Sequence, residues 1–432
     1  MRLSTSMLYE RGMTGVQQQM REQVELQEKI ASGRRVMKPS DDPVASAAII
    51  KTEQAKSINK QFGTNAANAA TALALQEQSL GDATTILQDI KTLVVKAGNA
   101  SLQNADRASL AIDLKAAYDQ LLGIANRTDG KGLYLFSGYQ GSTQPFTESA
   151  PGVVTYSGDE GQRLVQIGPQ RRMAIGDSGA DIFQRIRLGN GTFISTPDAA
   201  NSGTAVVNAG SVRNPGAWEN PANSRDYTVV FHVAGDPAVR TYDIVDNANN
   251  VSMLTGLPPA AGPHARTYQP GGEIVMQRLP GDPSAAPFDA GIAIEVTGEP
   301  ADGDTFAVGR APNQDVFATV HELITALKAG ITPDPASRAK FQNTLNLGGA
   351  SIDRALDQVL AARSATGGRM QELDAVGVTT ADFDLRYEED ISRLQSLDYA
   401  QAISDLTRRQ VGLEAAQKSY IAVTKLRLFD FI

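Results

Sequence analysis

The sequence predicts a multidomain α+β fold in which both chain ends build one long coiled-coil-like helical bundle, with a β-rich domain inserted in the middle. Two observations predict it. Near both ends, apolar residues recur at alternating steps of four and three, which places one narrow stripe along a helix. The middle holds 16 of the 20 prolines, from Pro145 to Pro312, and no lysine between Lys131 and Lys328. Proline is excluded from helix interiors, so the middle should consist of strands and turns.

The N-terminal stripe predicts a first helix from about residue 7 to residue 32, ending at Gly33. Its stripe consists of Tyr9, Met13, Val16, Met20, Gln23, Gln27 and Ile30. The matching stripe near the C-terminus consists of Tyr399, Ile403, Leu406, Gln410, Leu413, Gln417 and Tyr420. We call these two sets the end stripes. Glutamine at such positions weakens an isolated coiled coil but can define register within an assembly, so we predict that the apolar members form an assembly interface.

The loop after the first helix carries a helix-capping pattern, Pro39-Ser40-Asp41-Asp42-Pro43. Asp42 is a favourable N-cap and Pro43 a favourable first helical residue. We therefore expect a new helix from residue 43 to about residue 97. Its alanine-rich seam from residue 62 to residue 97 is typical of close packing within one chain. A third helix is expected at about 106–127.

The middle of the chain contains short β-rich runs between turn signals. We predict strands at 132–138, 153–156, 163–167, 227–231, 240–245, 273–277 and 293–296. Helices are expected again at about 315–329 and 335–364. The last helical stretch, from about residue 382, carries the C-terminal end stripe to Leu428.

These elements divide the chain into three predicted domains. The terminal helical assembly domain consists of 1–42 with 397–432. A helical bundle domain consists of 43–140 with 315–396. The remainder, 141–314, is a β-rich outer domain, and its stretch 187–312 is interpreted as a variable insert.

Composition and motifs exclude several function classes. A net charge of −8 argues against a general nucleic-acid binder, which would carry a basic face. The absence of cysteine excludes thiolate metal sites and disulfides. No stretch has the roughly 18–20 apolar residues of a membrane span, and the N-terminus lacks the apolar region of a cleavable signal peptide.

Candidate catalytic and metal-binding residues are sparse. The three histidines share no metal-ligand spacing and are interpreted as isolated or structurally satisfied residues: His232, His264 and His321. The carboxylate pair 41–42 is interpreted as helix capping and the pair 159–160 as a turn. No phosphate-binding glycine loop is present. We therefore predict no catalytic residue, no cofactor and no metal site.

Several segments together resemble one known family. The run Ser32–Val44, SGRRVMKPSDDPV, resembles a signature of bacterial flagellin-like axial proteins. The opening MRLSTSM, the run LYLFSG at 133–138, the run GDEGQ at 158–162, LDYA at 397–400 and the closing LFDFI are similar to the hook-associated protein 3 branch of that family. The resemblance covers roughly 1–185 and 315–432.

The resemblance implies a structural subunit that joins hook to filament in the bacterial flagellum and is not an enzyme. Such a subunit would be exported unfolded and assemble through its terminal helices. Its expected partners are copies of itself in a ring of about eleven, the neighbouring hook-associated protein, flagellin, and an export chaperone on the C-terminal helix. Neither nucleic-acid binding nor membrane insertion is expected, and the location would be the secreted flagellum at the hook–filament junction.

Three alternatives remain open at this point. A flagellin filament subunit is disfavoured because the chain ends in Phe429-Asp430-Phe431-Ile432 instead of a flagellin-like tail. A secreted adhesin or glycan-acting enzyme would use 187–312 as its active part. A coiled-coil signalling protein is disfavoured by the absent membrane span and the β-rich middle.

The end stripes also imply a behaviour. Amphipathic ends with glutamine-interrupted stripes bury little surface by themselves. We expect them to stay loose in the monomer and to become ordered when neighbours cover them.

Overall fold

The structure, a computed structural model, describes residues 5–260, 262, 264–284 and 286–429, without the side chains of residues 5, 6, 8, 9 and 423–429. Its helices are α1 (Thr5–Ser32), α2 (Pro43–Ala97), α3 (Asn104–Ala125), α4 (Pro215–Trp218), α5 (Val316–Ala329), α6 (Pro335–Gln395) and α7 (Tyr399–Phe429). A π-helical turn spans Ala180–Gln184. Within this part of the chain, no helix combines the length and apolar character needed to cross a membrane.

The strands are mostly short. They are β1 (Phe146–Ala150), β2 (Val153–Tyr156), β3 (Leu164–Gly168), β4 (Arg171–Ala174), β5 (Ile186–Arg187), β6 (Phe193–Pro197), β7 (Val206–Val207), β8 (Ser211–Val212), β9 (Asp226–Ala234), β10 (Val239–Asp246), β11 (Val251–Ser252), β12 (Arg266–Thr267), β13 (Glu273–Gln277), β14 (Asp289–Thr297), β15 (Thr305–Arg310) and β16 (Asn313–Gln314).

The predicted α+β class and the helical flanks are confirmed, with two errors in the helices. The helical stretch predicted from about residue 382 to Leu428 is interrupted between Gln395 and Tyr399. The predicted break between residues 364 and 382 is wrong, because α6 continues from Pro335 to Gln395. Gly367 and Gly368 cost the helix roughly 1 kcal/mol each relative to alanine. Tertiary contacts offset that cost: Thr366 is fully buried, and Arg369 donates to both carboxylate oxygens of Asp177 at 2.7 and 3.0 Å.

The chain forms two compact units. The first consists of Met1–Ala67, Gln166–Arg171 and Asp374–Ile432, and the second of Asn68–Val165 and Arg172–Leu373. The long helices α2 and α6 therefore each contribute to both. The three-domain division made from the sequence stays a prediction.

A helical core occupies the second unit. Residues of α2, α3, α5 and α6 form it together with Phe146, Phe183 and neighbouring loop residues. The close packing predicted for the seam from residue 62 to residue 97 is confirmed in this core, since Leu80 and Leu87 are at most 1% exposed. Edge-on aromatic contacts close the core, with the ring centroids of Phe146 and Phe183 5.7 Å apart.

The insert region of the second unit folds around its own apolar core. A six-stranded antiparallel sheet has the order β11-β10-β9-β15-β6, with β12 also paired to β10. A four-stranded sheet has the order β13-β14-β7, with β8 also paired to β14. Side chains of both sheets share one core, to which Phe231, Phe306 and Ile294 contribute. Alternating burial along β9 explains why this strand could be found in the sequence.

The strand predicted at 132–138 is wrong. The segment contains turns, and only Tyr134 makes an isolated bridge, to Thr128. Gly132 and Gly138 have φ values of +86° and +67°, which a strand does not accommodate. Leu135 and Phe136 of this run are instead buried core residues of an irregular loop, whereas Leu133 is exposed.

A matched pair of substitutions on α3 tests the helical core. Leu114 is fully buried and Ile112 is 70% exposed on the same helix. We expect Leu114→Ala to lower the free energy of unfolding by about 2–5 kcal/mol, because it leaves a cavity. Ile112→Ala should change it by no more than about 0.5 kcal/mol. Denaturant unfolding followed by circular dichroism measures both values, and equal effects would contradict the assigned core.

Candidate assembly site at the paired chain ends

The two chain ends pair as antiparallel helices in the first unit. A methyl group at Gly12 would lie 2.9 Å from Cδ2 of Tyr420. Further along, Glu22 forms an ion pair with Arg409. At the other end of α1, a methyl group at Gly33 would lie 2.7 Å from the hydroxyl of Tyr399. Residues of increasing number along α1 therefore lie opposite residues of decreasing number along α7, so the two helices are antiparallel.

Only part of each end stripe lies in the contact between α1 and α7. Val16 and Ile30 of α1 are half-buried. On α7 the half-buried stripe members are Leu406, Leu413, Gln417 and Tyr420. The apolar members among them are separated by seven or fourteen residues, which is two or four helical turns, so this part of the periodic pattern corresponds to a covered helix face.

The remaining apolar stripe residues whose side chains the structure describes are about half exposed. Met13 and Met20 are 48% and 44% exposed, and Tyr399 and Ile403 are 52% and 53% exposed. The side chain of Tyr9 lies outside the described residues. The apolar stripes are therefore wider than the contact that the two helices make with each other.

Sequence reasoning missed several residues of the covered face. Gly12 and Leu26 lie on it in α1, and Ala402, only 4% exposed, lies on it in α7. The end stripes were defined by large residues, so they contain neither glycine nor alanine. Small residues at four-and-three spacing, which permit close helix approach, are the signal that would have found Gly12 and Ala402.

Exposed apolar side chains are concentrated in the first unit. Among the described residues, more than half of the large apolar side chains with high exposure belong to it, although it holds about a third of the chain. Outside the end stripes they include Val24 on α1, and Val411 and Ile421 on α7. An excess of exposed apolar side chains in one unit favours a protein–protein contact there.

The two interhelical connections pair with each other. The backbone amide of Arg35 donates to the carbonyl oxygen of Gln395 at 2.7 Å, and the amide of Leu397 donates to that of Gly33 at 3.0 Å. Arg34 and Ser396 form an antiparallel bridge between these two bonds. Gly33 has a φ of +68°, so it ends α1 in the left-handed conformation that starts the crossing.

Arg35 reinforces this crossing. Its Nη2 atom donates to the carbonyl oxygen of Leu394 at 3.0 Å, and its Nη1 atom lies 3.0 Å from Oδ2 of Asp42. One guanidinium thus joins the end of α6 to the start of α2. The predictions from sequence did not include this residue.

The two carboxylates of the capping loop act on different backbone amides. Oδ2 of Asp41 accepts from the amides of Met37 and Lys38 at 2.9 and 3.0 Å. Oδ1 of Asp42 accepts from the amide of Ala45 at 2.9 Å, in the first turn of α2. Pro43 is the first residue of that helix. Pro39 and Ser40 are exposed at the tip of the loop.

Hydrogen bonding to these carboxylates favours their charged forms. The amide of Met37, followed by that of Lys38, lowers the pKa of Asp41 below its usual 3.8. The amide of Ala45, followed by the Arg35 guanidinium, lowers the pKa of Asp42 in the same direction. Both groups are therefore fully ionised at neutral pH and hold the loop against the start of α2.

A small apolar core packs next to the capping loop. Val36, Ala45 and Ile49 are buried together, with Leu394 packed against them. Between α2 and α6, Nζ of Lys56 lies 2.6 Å from Oε1 of Glu388. The site is thus stabilised by contacts between residues that are far apart in the sequence. The periodicity of the sequence alone does not reveal these contacts.

The described residues of this site include no metal-binding cluster. Within the described residues, no group of three or more histidine, cysteine, aspartate and glutamate side chains could hold a metal ion. His232 and His264 lie close together in the β-rich part, with ring centroids 6.0 Å apart, so of the two expectations, isolated or structurally satisfied, the second fits His232. Nδ1 of His232 lies 2.7 Å from Oδ1 of Asp302. His321 lies apart from them on α5.

Known proteins share this architecture. The bacterial flagellin N-terminal helical region matches residues 3–141. Flagellar hook-associated protein 3 of Salmonella typhimurium is 38% identical over 202 residues, which cover 47% of this chain and 62% of that protein. The match thus spans less than two thirds of that relative.

Two solved structures match more completely. The crystal structure of flagellar hook-associated protein 3 from Legionella pneumophila is 30% identical, with a TM-score of 0.69, covering 80% of this chain and 98% of the other. That of the flagellar junction protein FlgL from the same organism is 30% identical, with a TM-score of 0.67, covering 81% and 100%.

The capping loop should loosen in acid. Asp41 and Asp42 have lowered pKa values in the folded chain, so their stabilisation is present above pH 3.8 and is lost as the pH falls through the folded values. We expect the amide protection factors of Met37, Lys38 and Ala45 to fall in that range. Hydrogen exchange measured by NMR between about pH 5 and pH 2 checks this.

The control is Asp42→Asn, which keeps an acceptor for the amide of Ala45 and removes the charge. It should abolish the acid dependence at Ala45 and leave that at Met37. Protection at Ala45 that is independent of pH in the unmodified chain would contradict the assigned role of Asp42.

Proposed function

The chain belongs to the family of flagellar hook-associated protein 3, and we propose that it is a structural subunit that joins hook to filament in the bacterial flagellum. The observation that carries this proposal is the 30% identity to two Legionella pneumophila structures over 98% and 100% of their lengths. Those proteins are named for the hook and for the junction, which favours a junction subunit over a flagellin. The relatives are structural proteins of the flagellum, which is consistent with the absence of a catalytic role.

We propose that the subunit acts outside the cell, after export through the flagellar channel. Its partners would be copies of itself in a ring of about eleven, because a head-to-tail contact that closes generates a ring. The neighbouring hook-associated protein would contact one side of the ring and flagellin the other. Before export, a chaperone would cover the C-terminal helix.

The exposed half of the end stripes supports a mechanism for assembly. In the single chain, Met13, Met20, Tyr399 and Ile403 remain about half exposed. Covering one large apolar side chain completely contributes roughly 1.5–3 kcal/mol. Several such side chains would therefore offset part of the entropic cost of association. In this proposal neighbouring subunits cover the outward face, while the inward face already pairs α1 with α7.

The same surface would separate folding from assembly. The contact between α1 and α7 buries only part of the apolar surface of the two helices. Neighbours would supply the rest, so the ends would become fully ordered only at the growing structure. This sequence of events would keep the exported chain flexible.

A double substitution on the outward face tests the proposal. We expect Met20→Glu with Ile403→Glu to block incorporation at the hook–filament junction, because both side chains would be desolvated by neighbours. The melting temperature of the free subunit should stay within about 2 °C of the parent, since both positions are exposed. Electron microscopy of the junction and a motility assay measure incorporation.

The matched control is Ile112→Glu, a charge at an exposed isoleucine of the second unit. It should assemble normally. Normal incorporation of the Met20→Glu, Ile403→Glu variant would contradict the proposed assembly surface, as would an equal defect in the control.

A further inference from the structure

Two arginines of the insert, residues 187–312, have no side-chain partner among the residues that the structure describes. Between residues 213 and 278, each arginine side chain is paired: Arg213 with Glu273, Arg225 with Glu219, Arg240 with Glu299, Arg266 with Asp282, and Arg278 with the carbonyl oxygen of Ser284. The side chains of Arg187 and Arg310 make no hydrogen bond and no ion pair with any residue that the structure describes. No lysine lies in this part of the chain.

These two arginines line one cleft. It has a volume of about 380 Å³, and its polar wall also includes Thr192, Glu219 and Asn313. The cleft lies where the chain enters and leaves the insert, because Arg187 on β5 pairs in register with Asn313 on β16. Its size lies within the range of small-molecule sites.

The polar groups of the cleft select one ligand chemistry. Two unpaired guanidinium groups match a carboxylate, which each can bind through parallel N–H donors. Asn313 and Thr192 offer hydrogen bonds to hydroxyl groups. Oε2 of Glu219 is held by Arg225 at 2.9 Å, which leaves the other oxygen to accept a hydroxyl proton. A negative group at that position also disfavours ligands of high negative charge.

We propose that this cleft binds a sugar acid, a polyhydroxylated ligand with one carboxylate, of the uronic acid class. Arg187 and Arg310 hold the carboxylate. Asn313, Thr192 and Glu219 hold the ring hydroxyls. This site is independent of the assembly surface on the chain ends and of the flagellar role proposed above.

The chain contains its own reporter for this site. Trp218 is its only tryptophan, lines the cleft and is 1% exposed. Fluorescence of the purified full-length chain, titrated with galacturonate at about 0.15 M salt to screen non-specific attraction, therefore reports binding at this position. We expect a saturable change with galacturonate and none with galactose, which lacks the carboxylate.

Substitutions assign the binding to the two arginines. Arg187→Gln and Arg310→Gln should each weaken galacturonate binding at least tenfold. Arg310→Lys keeps the positive charge but loses the parallel N–H donors of the guanidinium group, so it should weaken binding less. Arg338→Gln, at an exposed arginine of α6, is the matched control and should bind as the parent does. Circular dichroism checks that each variant is folded, which we expect because neither cleft side chain has a partner to lose.

The source of the sugar acid is tested by comparing free galacturonate with an oligogalacturonate. Tighter binding of the oligomer assigns the cleft to an acidic polysaccharide, and equal binding assigns it to the free sugar acid. No saturable change with either, an equal response to galactose, or unchanged affinity in both glutamine variants would overturn the proposal.

Discussion

The pairing of the two interhelical connections determines how the first unit is built. Backbone hydrogen bonds from Arg35 to Gln395 and from Leu397 to Gly33 join segments that are more than 350 residues apart in the chain. Because these bonds lie where α1 ends and α7 begins, the two terminal helices start from one point and run side by side. The antiparallel contact of α1 with α7 follows from this crossing.

The crossing also explains why apolar surface remains exposed. Two helices can cover only one face of each other, whereas the end stripes continue around to positions such as Met20 and Ile403. An α-helix with an apolar stripe wider than its contact leaves a surface for a third element. In the proposed ring, that element is a neighbouring subunit. The stability of the terminal helices would then depend on assembly more than that of α3 and α5, whose apolar faces lie in the core of their own unit.

Much of the fold could be predicted from the sequence because long helices repeat one signal many times. The predicted bounds of helix α2, Pro43 to Ala97, are the observed ones. Three signals in the sequence indicate the same helix: the apolar seam, the N-cap Asp42, and Gly98 directly after the last helical residue. The errors occurred where tertiary contacts outweigh local preference. The ion pair of Arg369 with Asp177 holds α6 together at residues whose glycines suggest a break.

The candidate site was predictable only in part for a related reason. Four-and-three periodicity identifies an apolar stripe. It does not show which residues of the stripe are covered by another helix of the same chain. Gly12 and Ala402 belong to the covered face, yet their small side chains carry no apolar signal. Arg35 and Glu388 join elements from opposite ends of the chain, and nothing local marks such pairs. The two-residue strands that complete the sheets of the insert are too short for any periodicity to show.

The most direct test of the account is hydrogen–deuterium exchange, followed by mass spectrometry, on the free subunit and on the same subunit assembled at the hook–filament junction. The account predicts that peptides from α1 and α7 exchange quickly in the free subunit and become protected on assembly, while peptides from α3 and α5 are protected equally in both. If peptides from α1 and α7 were as protected in the free subunit as those from α3 and unchanged by assembly, the central claim would be contradicted.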